Sequence, residues 1–188
     1  LYGDYDNWAL ATTRQVVDEL YFNNSFRPVQ NIIDLENGMP FAVQKGVMSN
    51  FGNIKGVRGD GNGSTVFTEN NTMPVFDPDF ATFADNQIKG IVSAYANDPE
   101  VYGWMSDNEL PSGWEMLDNS LTLDTTDHRT YYSYATAWTF MYLKTGKADV
   151  STADVTDELR KEFRAMVYDR YFEVTTEALE RYAPYQQY

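Results

Sequence analysis

Between Asp77 and Asp107 the chain spells out one helix and one strand with the punctuation for both, and this stretch limits the possible folds most tightly. Asp77-Pro78-Asp79 supplies a helix start: Asp77 as N-cap, Pro78 at the first helical position, and Asp79 where the helix dipole favours negative charge. Behind it Phe80, Phe83, Ala84, Ile88, Ile91, Val92 and Tyr95 recur at 3.6-residue spacing, and Asn97-Asp98-Pro99 stops them. Val101 to Asp107 then reads as a short aromatic strand.

Upstream, Met39 to Met48 is an apolar, β-rich run that predicts a buried strand ending near Asn50 and Asn53. Strand, helix, strand implies a parallel crossover, an α/β arrangement whose functional groups belong at the C-terminal ends of its strands. The spacing of Trp8, Ala11, Val16, Val17 and Leu20 predicts a first helix, and the Gly- and Asn-rich stretch from Gly52 to Met73 a long surface loop. Tyr131, Tyr134, Ala135, Trp138 and Tyr142 mark a helix over 131–143 that ends in the turn Lys144-Thr145-Gly146-Lys147. A last helix from Ser151 or Thr152 carries a stripe through Val155, Leu159, Phe163, Val167, Tyr171, Val174, Ala178 and Tyr182 and stops before Pro184. The last two helices are expected to pack as a hairpin.

Composition narrows the chemistry. With 14 Lys and Arg against 28 Asp and Glu the formal charge is −14, which argues against nucleic acid or an anionic membrane surface as partner. Aromatic residues make up 15% of the 188, too much ring surface for an acidic disordered tail. No run approaches the roughly 18–20 apolar residues of a membrane span. Without cysteine and with His128 as the one histidine, thiolate catalysis and a multi-histidine metal site are excluded, and no cofactor is implied. Carboxylates, amides, hydroxyls and rings must do the work.

The densest chemistry lies in Gly103-Trp104-Met105-Ser106-Asp107-Asn108-Glu109-Leu110-Pro111. Polar residues follow at once on a buried aromatic strand, where burial beside rings raises a carboxyl pKa. A general acid that donates near neutral pH needs that raised pKa, and a neighbouring amide orients it or holds a substrate hydroxyl.

An Asn-Glu pair ending a Gly-Trp/Tyr-x-x-Asp strand resembles the fourth strand of clan A glycoside hydrolases, especially the β-agarase-like and β-galactosidase-like members. Pro74 to Phe80 is similar to the segment that opens their preceding helix, and Glu180 to Tyr188 to the helix end before their fifth strand. The resemblance spans residues 39–188 and implies a partial (β/α)8 TIM barrel, roughly strands 3 to 4 with flanking helices, the whole chain being one internal fragment. It also implies that Glu109 is the general acid/base, that Asn108 bonds the sugar 2-hydroxyl, and that the substrate is a galactose-containing polysaccharide; the polymeric substrate and the acidic composition together lead to the expectation of a secreted or periplasmic enzyme. In the retaining mechanism a second carboxylate stands about 5–5.5 Å from the first. Glu115, Glu158, Glu162, Glu173, Glu177 and Glu180 fall in a loop or on helices, so the nucleophile is expected to be missing from this chain. A barrel needs about 250 residues, so the isolated chain is expected to be inactive and prone to associate.

Other residues carry two readings each. Trp104 and Trp114 are flat rings suited to a pyranose face, although Trp104, within the strand, reads more simply as core. Asn50 either bonds sugar hydroxyls or forms a turn. His128 beside Asp127 reads as solvated, and Asp60 to Ser64 lacks the twelfth-position Glu of a calcium loop. The rival reading is a non-catalytic carbohydrate-binding or interaction protein in which aromatic rings hold glycan.

Overall fold

The computed structural model describes residues 25–26, 41–44, 46–55, 72–98, 101–107, 110 and 113–186. In chain order these form β1 (Ser25–Phe26), β2 (Phe41–Gln44), α1 (Val47–Ile54), α2 (Phe80–Val92), β3 (Val101–Met105), α3 (Met116–Leu121), α4 (Tyr131–Thr145), a 3-10 turn (Thr152–Asp154) and α5 (Asp157–Tyr182). The expected helix at 8–20 and residues 56–71 of the loop expected from Gly52 to Met73 lie outside the described residues, as do Asn108 and Glu109, while Gly52 to Ile54 belong to α1 and not to that loop.

The three strands pair in parallel in the order β1-β2-β3. Phe41 faces Val101 but Ala42 faces Gly103, an irregularity that admits one extra residue in β3. The strands are short, with 2, 4 and 5 residues, whereas α2, α4 and α5 have 13, 15 and 26. The described residues are mostly helical, and this overturns the expected partial (β/α)8 barrel. Its physical cause lies after β3: α3, α4 and α5 follow one another, and their apolar faces are covered by helices. α5 packs chiefly against α2 and then α3, and α3 also touches α4. The two long helices thus meet less as a hairpin than through α3, with a direct edge-to-face contact of Phe140 on Phe163 at 5.4 Å.

The strand expected over Met39 to Met48 is cut short, because the Val47 N–H donates to the Ser106 carbonyl at 3.0 Å and the chain winds into α1 there. α2 buries Phe80, Ala84, Ile88 and Val92, as the spacing predicts. Its cap differs from expectation. Asp79 directly precedes the helix, while Asp77 Oδ1 accepts the Asp79 N–H at 2.9 Å in a turn one step earlier. Lys55, just past α1, bridges Asp77 at 3.0 Å and Asp79 at 2.8 Å. Burial would push its ammonium down, but hydrogen bonds and charge from both aspartates outweigh it and hold the pKa above the ordinary value.

α5 starts at Thr156, whose hydroxyl accepts the Leu159 N–H, after a separate turn capped by Ser151 and Asp154. Its buried face is Phe163, Val167, Tyr171, Val174, Thr175, Ala178 and Leu179. α4 ends at Gly146, whose φ of 71° is the left-handed conformation glycine adopts freely. Its buried face is Ser133, Ala137, Phe140 and Met141, and none of the predicted stripe is fully buried: Tyr134, Ala135 and Trp138 are half-buried, and Tyr131 and Tyr142 are exposed. Among the described residues no helix is long and apolar enough to cross a membrane.

Candidate functional site

β3 runs through the core and delivers its polar end against two helices. Val101 and Trp104 are buried, and the Trp104 indole N–H donates to Gln186 Oε1 at 2.7 Å. The Gln186 amide donates in turn to the Val101 carbonyl at 3.0 Å, so the chain beyond α5 folds back to brace the strand. This assigns Trp104 to the core and not to a sugar platform.

Ser106 and Asp107 follow. Tyr171, fully buried on α5, places its hydroxyl 2.6 Å from Ser106 Oγ and 2.7 Å from Asp107 Oδ2. The same carboxylate oxygen accepts the Met48 N–H at 2.6 Å, in the first turn of α1. A carboxylate there answers both an unpaired helix amide and the positive end of the helix dipole. Three elements, β3, α1 and α5, thus converge on Asp107, the last described residue before Asn108 and Glu109. The spacing of α5 places Tyr171 on the buried face but does not assign its hydroxyl a partner. One signal was available: a phenol in the middle of an apolar stripe needs a hydrogen-bond partner when buried.

Other candidates scatter. Asn50 is exposed on α1, with its N–H on the Gly46 carbonyl, and is not at a strand end. Trp114 is 40% exposed just before α3, and the Arg164 guanidinium lies 5.6 Å from its ring centroid. His128 is exposed, 4.0 Å from Asp127 Oδ1. Asp127 itself is held down to about 2, chiefly by its hydrogen bonds from Arg129. Glu115 occupies the N-cap position of α3, and Glu158, Glu162, Glu173, Glu177 and Glu180 all lie on α5, away from the end of β3 in sequence and element. A groove of about 320 Å³ runs between α2 and α5, lined by Asp85, Asn86, Arg170, Glu177 and Arg181, but both arginines are already paired: Arg181 with Asp85, and Arg170 with Glu173 outside the groove.

Among the described residues, fold and site together define a mostly helical body with a braced polar strand end. No family model matches the chain, and no curated protein or solved structure does either.

Proposed function

We propose that the chain is part of a retaining β-glycoside hydrolase acting on a galactose-containing polysaccharide, with Glu109 as general acid/base and Asn108 on the sugar 2-hydroxyl. The observation that supports this reading is the bracing of Asp107 by Tyr171 and by the α1 amide, immediately ahead of the Asn-Glu pair. A proton donor must be held within a fraction of an ångström of its acceptor oxygen, and a strand end fixed by two helices is a rigid base for one. The chemistry depends on the site and not on a barrel. The attacking carboxylate is not among the described glutamates in this reading, since these stand at the N-cap of α3 and on α5. A polysaccharide is met outside the cytoplasm, which places the protein in a secreted or periplasmic setting.

The test is to titrate the chain with galactose-containing oligosaccharides while assaying it on agarose and on an aryl β-galactoside. Binding without turnover is the expected result. Turnover that disappears in Glu109→Gln would keep the acid/base assignment and correct the missing nucleophile, whereas absence of all binding would overturn the reading.

A second reading, a non-catalytic glycan-binding protein, is favoured by the rings on the outside of α4. Tyr131, Tyr132 and Tyr142 are all exposed, and Trp138 and Tyr142 lie parallel within 5° at 5.4 Å. Binding lost in Trp138→Ala but unchanged in Glu109→Gln would favour it.

A further inference from the structure

Five arginines fall among the described residues, and four of them pair with carboxylates. Arg129 bonds Asp127, Arg160 bonds Asp118 and Asp157, Arg170 bonds Glu173, and Arg181 bonds Asp85. Arg164 has no such partner among the described residues, and its Nε is buried without a hydrogen bond. Acids outnumber bases two to one in this chain, so a carboxylate was not scarce. A guanidinium is always charged and carries five donors in a planar fork, so a buried, unanswered N–H in that fork is costly unless something else answers it.

What surrounds Arg164 is ring surface. Its Cζ lies over Trp114, whose indole remains 40% exposed. One turn along α5 stands Tyr168, close enough to feel the charge: burial pushes its phenol up and Arg164 opposes that. Tyr168 stacks on Phe172, which is 46% exposed. The next residue round the helix from this strip is Tyr171, the one that holds Asp107. A cation beside the part-exposed Trp114 ring, on the helix that braces the strand end, fits a ring-shaped ligand bearing an anionic group.

The geometry points to a subsite for an anionic sugar, in which the Trp114 ring covers a pyranose face and the Arg164 fork binds a sulfate or carboxylate substituent. This rests on the glycan reading above and names its substrate class: a galactan with a sparse anionic substituent. The net charge of −14 sharpens the class. Long-range repulsion is screened beyond about 8 Å at physiological salt, so one charge per repeat is held by contact with Arg164 while a densely charged polyanion is turned away. Shape and charge are recognised separately, the ring face by the indole and the anion by a bidentate fork.

The experiment compares three oligosaccharides of equal length, a neutral galactan, its sulfated counterpart and one bearing uronate, by calorimetric titration at low and high salt. The wild-type chain is expected to bind at least one anionic sugar about tenfold or more tighter than the neutral one, with the gap narrowing as salt is raised. Whichever anion gives the larger gap identifies the substituent. Arg164→Gln is expected to lose the preference and keep the neutral affinity, and Trp114→Ala to weaken all three. A wild-type chain that binds the neutral sugar as well as the anionic ones overturns the subsite and leaves the broader function standing; so does a preference that survives in Arg164→Gln. If no sugar binds, both fall together. The wild-type comparison across salt requires no variant to fold.

Discussion

α4 and α5 are both long aromatic helices, and the chain uses them in opposite ways. α5 places one apolar residue per turn among charged neighbours, so a single face can be buried, and Phe163, Val167, Tyr171, Val174 and Ala178 are the residues buried. α4 is apolar or weakly polar almost all round. Its buried face is the side with small residues, Ser133 and Ala137, which let it approach the core closely, with Phe140 and Met141 filling the remainder. The large rings are left outside: Tyr131, Tyr132 and Tyr142 are each more than 40% exposed. Periodicity selects a face only when the opposite face is polar. On a helix such as α4, side-chain size decides.

The largest test of that contrast is in the core. Phe163, 2% exposed and edge-on to Phe140, is expected to cost about 3–5 kcal/mol when truncated to alanine, measured by urea unfolding. A smaller change on the same helix separates shape from hydrogen bonding. Tyr171→Phe keeps the ring and removes the hydroxyl that reaches Asp107 and Ser106, and is expected to cost about 1–3 kcal/mol. A neutral result there would mean that the phenol is only filling space and that the Tyr171 hydroxyl does not help to hold Asp107.

The same contrast separates what was legible in the sequence from what was not. α2 was legible because the 3.6 spacing of Phe80, Ala84, Ile88 and Val92 agrees with the face that is buried, although the helix starts two residues later than Pro78 suggested. The run from Met39 to Met48 was not. A short apolar stretch without alternation is compatible with strand or helix, and its change to helix at Val47 is set by a bond to Ser106, 59 residues away in sequence. The barrel failed for a related reason: one strand-helix-strand order does not say whether more strands follow, and after β3 helices do. At the site, the gathering of polar residues at the end of β3 and the placing of Trp114 outside the strand were legible from their residue types. Tyr171 on Asp107 and the unpaired Arg164 were not, because both depend on which residues α5 brings near.

A third prediction concerns how α3 is held to α5. Arg160 clasps Asp118 through two bonds, Nε to Oδ2 and Nη2 to Oδ1, both at 2.8 Å, and these hydrogen bonds lower the Asp118 pKa below its ordinary value of 3.8. A carboxylate whose pKa is lower in the folded state adds stability that is complete above its unfolded value and is lost as pH falls through the folded one. Asp118→Asn is therefore expected to cost about 1–2 kcal/mol at neutral pH. The gap to wild type should shrink as the pH is taken below about 3.8. A gap of constant size at both pH values would show that Asp118 acts through its shape or amide-compatible bonds and not through its charge.

The smallest expected effect is on the outer face of α4, and it probes the comparison from the other side. Tyr142 is 42% exposed and Leu143 75%, so neither loses much water-excluded surface when shortened. Tyr142→Ser with Leu143→Ser is expected to change stability by no more than about 0.5 kcal/mol, despite removing two large apolar side chains. Any gain or loss beyond that would mean these rings are covered in solution. Sedimentation at rising protein concentration separates the two possibilities: a wild-type chain that associates through this face becomes monomeric in the double variant, whereas one whose rings face water sediments identically with or without them.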